Sequence, residues 1–170
     1  MVLQLVIPSN FGVISCRFDE AAEGVDGYAQ ATNGAVTSLK IGEPIAQEFK
    51  MRSGTCGFGS DVRTHLLAWM NGEPEALLRI GVAQPGTPFK QSVWRAMRQI
   101  PAGAPVSYAQ LAVMAGNAGA VRAAASACAT NQVPLIVPCH RVIKSDGSIG
   151  NYYWGSEMKQ QLLHLEAGFN

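Results

Sequence analysis

"SYAQLAVMAGNAGAVRAAASACAT", residues 107–130, reads as two short helices joined by a tight turn. Ser107 and Gln110 stand in capping-box spacing, so each side chain satisfies a backbone amide that the helix start leaves free. The helix they open ends at Ala115-Gly116, and a second one over 118–130 begins two or three residues later. Two short helices around a glycine-containing turn form the outline of a helix-turn-helix. The second helix is almost entirely Ala, Gly, Ser and Thr, with Arg122 its only charge. Side chains this small permit close approach of whatever lies against them. On one reading that is a neighbouring core element; on the other it is a nucleic-acid groove, with one arginine projecting.

Working outward, Thr87-Pro88 supplies an N-cap with proline at the first helical position, and Phe89, Val93, Met97 and Ile100 form one face of the helix that follows. The last helix, "SEMKQQLLHLEAG", starts at Ser156 and is expected to stop at Gly168 in the left-handed conformation. Met158, Leu162 and Leu165 share its apolar face, and Glu166 falls at the border of that stripe. A carboxylate there can lie on the helix surface or turn inward to serve a buried histidine. Upstream of the Pro/Gly cluster "AQPGTP" (83–88) the pattern changes. "LQLVIP", "GVISCRF" and "AVTSLKI" are β-branched runs bounded by Gly, Asn and Pro, which predict an antiparallel sheet. One helix follows, with Asp61 as its expected cap and Val62, Leu66, Trp69 and Met70 on one face. The expected class is mixed α/β (α+β), with an N-terminal α/β domain over 1–85 and a mostly helical C-terminal domain over 86–170.

Nearly half of the 170 residues are apolar and 15% are charged, as in a globular protein. No apolar run approaches the roughly 18 residues of a membrane span, and the N-terminus lacks a secretory pattern. The expected compartment is the cytoplasm, or the nucleus in a eukaryote, with Cys16, Cys56, Cys128 and Cys139 as free thiols. Net charge is +1, divided into −3 over residues 1–85 and +4 over 86–170. That asymmetry fits ordinary surface variation or a polyanionic partner for the C-terminal half.

"PLIVPCHRVI", residues 134–143, sets a thiol beside an imidazole on a buried-looking segment. Zinc needs three or four ligands, usually with two from a close pair; Cys139 and His140 are adjacent and no second cluster exists, so no metal is expected. An inert core thiol is the serious alternative, because free cysteine is among the most buried residue types. Two features oppose it. Pro138 removes an amide donor and marks a rigid turn, and His140-Arg141 bring groups that need partners if buried. Neighbouring cations lower a thiol pKa, so the local chemistry predicts an activated cysteine backed by His140 and an acid. The electrophile is not named by these residues.

"PCHRV" (138–142), with "NQVPLIV" before it and "GNYYWG" after it, closely resembles the active-site region of the O6-alkylguanine-DNA alkyltransferases. These proteins move an alkyl group from damaged guanine onto their own cysteine, once. The likeness runs from about Phe89 to Gly168 through "SYAQLA", the Arg122 helix, Asn131 and "LLHLEAG"; the first 85 residues match only loosely. It implies a ribonuclease-H-like N-terminal sheet and a winged helix-turn-helix-like C-terminal domain. It also implies that Cys139 is the acceptor, that His140 deprotonates it with Glu166 behind, and that Asn131 braces the turn. Tyr108 would donate toward guanine N3. Arg122 would enter the duplex, accompanied on the DNA-binding surface by Ala120, Ala123, Ser107 and Arg141. The base pocket would be lined by Pro134, Val142, Tyr152, Tyr153 and Trp154, with the Cys139 and Val142 carbonyls reading the guanine amino group.

The implied partner is double-stranded DNA carrying O6-alkylguanine, met by a monomer, with cooperative assembly on DNA left open; no membrane and no cofactor are implied. Departures from the family pattern are Gln132 in place of proline, Ala124-Ala125-Ser126 in place of a more glycine-containing stretch, and Trp154 in place of glycine. Cys16, Cys56 and His65 do not reproduce the zinc ligands of some relatives. A lesion-binding protein that flags alkylguanine without repairing it is the alternative, and lacks the cysteine. A cysteine hydrolase and a plain helix-turn-helix regulator fit less well: the first has no use for the Arg122 helix, the second none for an activated thiol.

Overall fold

Short runs of β-branched and apolar residues set up the first sheet. The structure, a computed structural model, describes residues 2–9, 11–19, 34–42 and 57–169. Strands β1 (Val2–Ser9), β2 (Gly12–Asp19) and β3 (Ala35–Ile41) pair antiparallel in the order β1-β2-β3, with Ile7 opposite Ile14 and Cys16 opposite Leu39. Helix α1 (Phe58–Met70) packs on this sheet, burying Val62, Leu66 and Trp69, which recur at i, i+4 and i+7. These elements, with a short parallel bridge of Val36 to Val82, form the first of two compact units, Met1–Gln84. The cap expectation fails at α1. The helix begins one turn earlier, after Gly57 at φ 103°, so Asp61 sits inside the first turn, where its charge suits the helix dipole.

The second unit, Pro85–Asn170, holds the remaining helices. In α2 (Pro88–Arg98), Thr87 Oγ1 accepts from the Lys90 amide with Pro88 next in the chain, and Val93 and Met97 go inward. Strand β4 (Val106–Ser107) leads directly into α3 (Tyr108–Met114), whose capping box is complete: Ser107 Oγ accepts from Gln110 N, and Gln110 Oε1 from Ser107 N. Gly116, at φ 90°, lets the chain turn toward α4 (Val121–Ala129). Ala124 and Ala127 are the buried positions of α4, and Trp94 of α2 donates its indole N–H to the Ala127 carbonyl at 2.9 Å. A second short strand, β5 (Val142–Ile143), pairs parallel with β4 and so anchors the segment after the Cys-His pair to the start of α3.

Helix α5 (Ser156–Ala167) departs from its amphipathic reading. Its buried residues are Lys159, Leu162 and Glu166, not the Met158, Leu162 and Leu165 stripe. The helix is rotated so that a cation and a carboxylate face inward, because buried partners await both. Gly168 has φ −88° rather than the left-handed value, since i→i−3 bonds from Gly168 and Phe169 tighten the helix end instead. Gly103 holds φ 75°, which an L side chain rarely adopts, and a Cβ there would also stand 3.3 Å from the Glu166 carbonyl oxygen. Among the described residues no helix is long and apolar enough to cross a membrane.

Candidate active site

A braced turn carries the cysteine. Asn131 follows α4, and its side chain works in both directions: Nδ2 donates to the Val137 carbonyl at 2.7 Å while Oδ1 accepts from Val133 N at 3.1 Å. Inside this clasp Leu135 holds φ 70°, a left-handed conformation that costs a non-glycine residue of order 1 kcal/mol and persists only where the surroundings enforce it. Every residue from Val133 to Val142 is buried. Pro138 ends the loop, and residues Cys139–Arg141 form one 3₁₀ turn that delivers consecutive side chains in diverging directions.

His140 and Arg141 both turn to Glu166 on α5. His140 Nε2 lies 3.1 Å from Glu166 Oε2; Arg141 Nε donates to the same oxygen at 2.8 Å and its NH2 to Oε1 at 2.7 Å. The third side of the guanidinium donates to the Ile100 carbonyl at 2.6 Å. All three side chains are essentially excluded from solvent. Burial alone would raise the Glu166 pKa, but His140 and then Arg141 override it and hold the carboxylate at about 2. Burial pushes His140 below its ordinary value, and Glu166 only partly offsets it, so the imidazole is neutral near pH 7. Nε2 is the nitrogen turned to the carboxylate, yet neither ring nitrogen has a hydrogen bond of good geometry among the described residues.

Cys139 lines a cavity of about 400 Å³, within the usual range for small-ligand pockets. Tyr108, Ala125, Cys128, Asn131 and Asn151 contribute to its wall, and Tyr152, Tyr153 and Trp154 form an aromatic side. Trp154 meets Tyr153 edge-on, with centroids 4.8 Å apart, and Tyr152 at 5.5 Å. Such a surface suits a flat π-system.

The expectation of a cysteine ionised by adjacent cations is corrected. Burial pushes the Cys139 thiol up, beyond what the Asn131 side chain, Lys159 and backbone amides recover. His140 is neutral and Arg141 is spent on Glu166, so neither supplies the cation. The resting sulfur is a thiol, with a neutral base at the next residue.

Other placements follow from the same geometry. Arg141 is 5% exposed with its donors committed inside the protein, which contradicts its assignment to a DNA surface. Pro134 and Val142 are buried and do not line the cavity, and the Val142 carbonyl accepts from Lys159 Nζ at 2.5 Å. Arg122 is exposed on α4, and Ala125 and Ala129 follow at i+3 and i+7, so helical spacing sets Arg122 on the cavity side of that helix. Ala123 is exposed, Ala120 half-buried at the α4 N-cap, and Ser107 is engaged as the α3 cap. Tyr108 opens α3 beside Cys139, and burial raises its pKa, so the phenol keeps its proton.

Sequence reasoning missed Asn151, Cys128 and above all Lys159, whose spacing of three and seven from Leu162 and Glu166 was the available signal. Cys16, in β2, is a buried thiol pushed to about 12 by desolvation. Cys56 lies outside the described residues, among which no cluster of three His, Cys, Asp or Glu could hold a metal.

Residues 88–168 match the family model described as 6-O-methylguanine DNA methyltransferase, DNA binding domain. The bifunctional transcriptional activator/DNA repair enzyme Ada of Escherichia coli is 55% identical over 82 residues, 48% of this chain and 23% of that protein. The methylated-DNA–protein-cysteine methyltransferase of Rattus norvegicus is 40% identical over 128 residues, 75% of this chain and 57% of that protein. The chain thus spans less than two thirds of these curated relatives. The crystal structure of Mycobacterium tuberculosis OGT in complex with DNA aligns with a TM-score of 0.74 at 30% identity, covering 99% of this chain and 94% of that one.

The ion cluster makes acid stability a test. The folded Glu166 pKa lies below its ordinary 4.5, so its contribution is complete above that pH and is lost as pH falls toward about 2. Glu166→Gln is expected to be on the order of 3 kcal/mol less stable near neutral pH. In urea unfolding as a function of pH, the wild-type and variant curves should converge between pH 4.5 and 2; curves that stay parallel would contradict the assignment.

Proposed function

The chain belongs to the O6-methylguanine DNA methyltransferase family, and from that premise we propose that it repairs DNA by moving the alkyl group of O6-alkylguanine onto Cys139, irreversibly and once per molecule. The observation that carries this reading is a buried thiol at the edge of an aromatic cavity, with a neutral imidazole and a clamped carboxylate behind it. The partner is duplex DNA, bound by a monomer through the exposed edge of α4 in the minor groove. Arg122 fills the gap left by the extruded nucleotide. Extrusion is physically required, because O6 lies on the major-groove edge while this reading docks α4 in the minor groove and Cys139 is buried inside the protein, out of reach of a stacked guanine. In this reading α3 and α4 belong to a winged helix-turn-helix, the first unit is a ribonuclease-H-like sheet, and the protein works in the cytoplasm or nucleus.

The chemistry then runs as one displacement. His140 Nδ1, through a bridging water, takes the proton of the Cys139 thiol, and Glu166 stabilises the imidazolium that forms. The thiolate attacks the alkyl carbon; the carbon–O6 bond breaks and its electron pair stays on the guanine. Tyr108, kept protonated by burial, donates toward N3 of the departing anion, where the negative charge develops. A carbon–sulfur bond remains at Cys139, and no group in the cavity can hydrolyse a thioether, which makes the turnover single. The alternative, a lesion-binding protein without transfer, has no use for the thiol or for the base behind it.

Incubation with a duplex containing O6-methylguanine should add one methylene to the peptide bearing Cys139, and the gain should vanish in Cys139→Ala. Unchanged mass despite tight lesion-dependent binding would overturn the proposal. Arg122→Ala should slow repair in duplex by roughly tenfold or more while leaving reaction with free alkylguanine nearly intact, since only the duplex must be held open; equal losses would remove Arg122 from that role. Trp154 narrows the cavity, so Trp154→Gly should speed reaction with O6-benzylguanine by about tenfold. A wild type that reacts equally fast would show that Trp154 sets no size limit.

A further inference from the structure

Trp94 has no part in the displacement described above, yet its one polar side-chain atom meets α4 where that helix stops. The ring is buried, and Nε1 donates to the Ala127 carbonyl at 2.9 Å; Thr130 Oγ1 donates to the same oxygen at 3.4 Å. The carbonyls of a last helical turn find no amide within their own helix. In a continuing helix the Ala127 oxygen would take the N–H of Asn131, four residues on. Here the Asn131 N–H turns to the Cys128 carbonyl at 3.3 Å, the three-residue step of a tightened end. Asn131 thereby leaves α4, and its side chain spans to Val137 and Val133. The seat of the indole is built for this bond. Toward Nε1, the buried positions of α4 are only Ala124 and Ala127, so the two helices come close. At the six-membered ring lies Gly86, where a Cβ would stand 2.5 Å from Cζ3 and 2.6 Å from Cη2.

We infer that Trp94 is a positioning residue for Cys139: its indole N–H ends α4 in register, so that Asn131 falls where its side chain can hold the cysteine turn, and Gly86 seats the ring. The bonds run without a gap. Trp94 Nε1 holds the Ala127 carbonyl, Asn131 Nδ2 holds the Val137 carbonyl at 2.7 Å, and that same Val137 oxygen accepts from Cys139 N at 2.8 Å. Cys128 and Ala129, in the last turn of α4, line the cavity. An indole that let go would therefore disturb the cavity wall and the nucleophile together. Arg122 stands in the first turn of α4, at the end away from this bond. The role belongs to tryptophan because phenylalanine brings a ring without a donor, and tyrosine carries its hydroxyl at another place.

This inference rests on Cys139 being the acceptor for its rate measurement; a second measurement uses neither DNA nor alkylguanine, so the two can fail separately. A wild type that transfers nothing would sink the acceptor reading and leave the second measurement standing. Trp94→Phe keeps a ring in the core and removes the N–H. Per folded molecule, it should slow transfer from free O6-methylguanine and from an O6-methylguanine duplex by the same factor, about tenfold, while affinity for undamaged duplex hardly changes. By NMR, the side-chain amide protons of Asn131 should exchange about tenfold faster than in wild type. Wild-type transfer rates, a loss confined to the duplex, or unchanged Asn131 protection would reduce Trp94 to core packing. Gly86→Ala keeps the N–H but drives a methyl into the ring's seat, and it should show the same paired slowing and the same loss of Asn131 protection. Should the Phe variant not fold, Gly86→Ala decides alone: an alanine variant that behaves as wild type would overturn the inference.

Discussion

The two carboxylate oxygens of Glu166 are the constraint on which the site depends. One oxygen is shared by His140 and Arg141, the other is taken by Arg141, and all of this happens out of water. Removing one member of such a buried ionic group typically costs 3–5 kcal/mol, because the partners left behind cannot be resolvated. The cluster therefore does two things. It bonds α5 to the 3₁₀ turn that carries the cysteine, and through Ile100 to the end of α2. It also sets the Nε2 edge of His140 against the carboxylate. Arg141, which looks from its position beside the nucleophile like a residue for substrate or DNA, is consumed in this task.

The resting state that results is a quiet one. Burial keeps the Cys139 thiol protonated and His140 neutral, so this pair of neighbours is uncharged at rest. A permanently exposed thiolate would be open to any electrophile, whereas in the proposed reaction a buried thiol beside a neutral base is called on only when a flat group fills the cavity. The Asn131 clasp and the left-handed Leu135 hold the turn in the shape this requires. For the proposed transfer such rigidity would matter, because a displacement at carbon depends steeply on the approach of the attacking atom.

How much of this was legible in the sequence depends on the range of the interaction. The Ser107–Gln110 capping box and the Thr87-Pro88 start are chemistry among three or four neighbours, and both form as read. The strand runs likewise follow from local β-branching. Asn131 came from the family pattern alone, while His140 was marked by its place beside the cysteine and Glu166 by its place at the border of the α5 stripe; the structure brings His140 to Glu166 and Asn131 across the turn. The inward rotation of α5 was not legible from an amphipathic count, because such a count assigns charged residues to water. Lys159 and Glu166 reverse the assignment by meeting partners 10 to 26 residues away in the chain. The true partner of Arg141 and the closure of the Val142 carbonyl were hidden for the same reason.

The central claim is that His140 waits as a neutral imidazole, with Nε2 held by Glu166 and Nδ1 free to accept the proton of Cys139. The most direct measurement is the pair of ¹⁵N shifts of the His140 ring at neutral pH in the unreacted protein. One protonated nitrogen, assigned to Nε2, and one unprotonated nitrogen, assigned to Nδ1, is the result this account predicts. A doubly protonated ring, or a proton on Nδ1 with Nε2 bare, would contradict it.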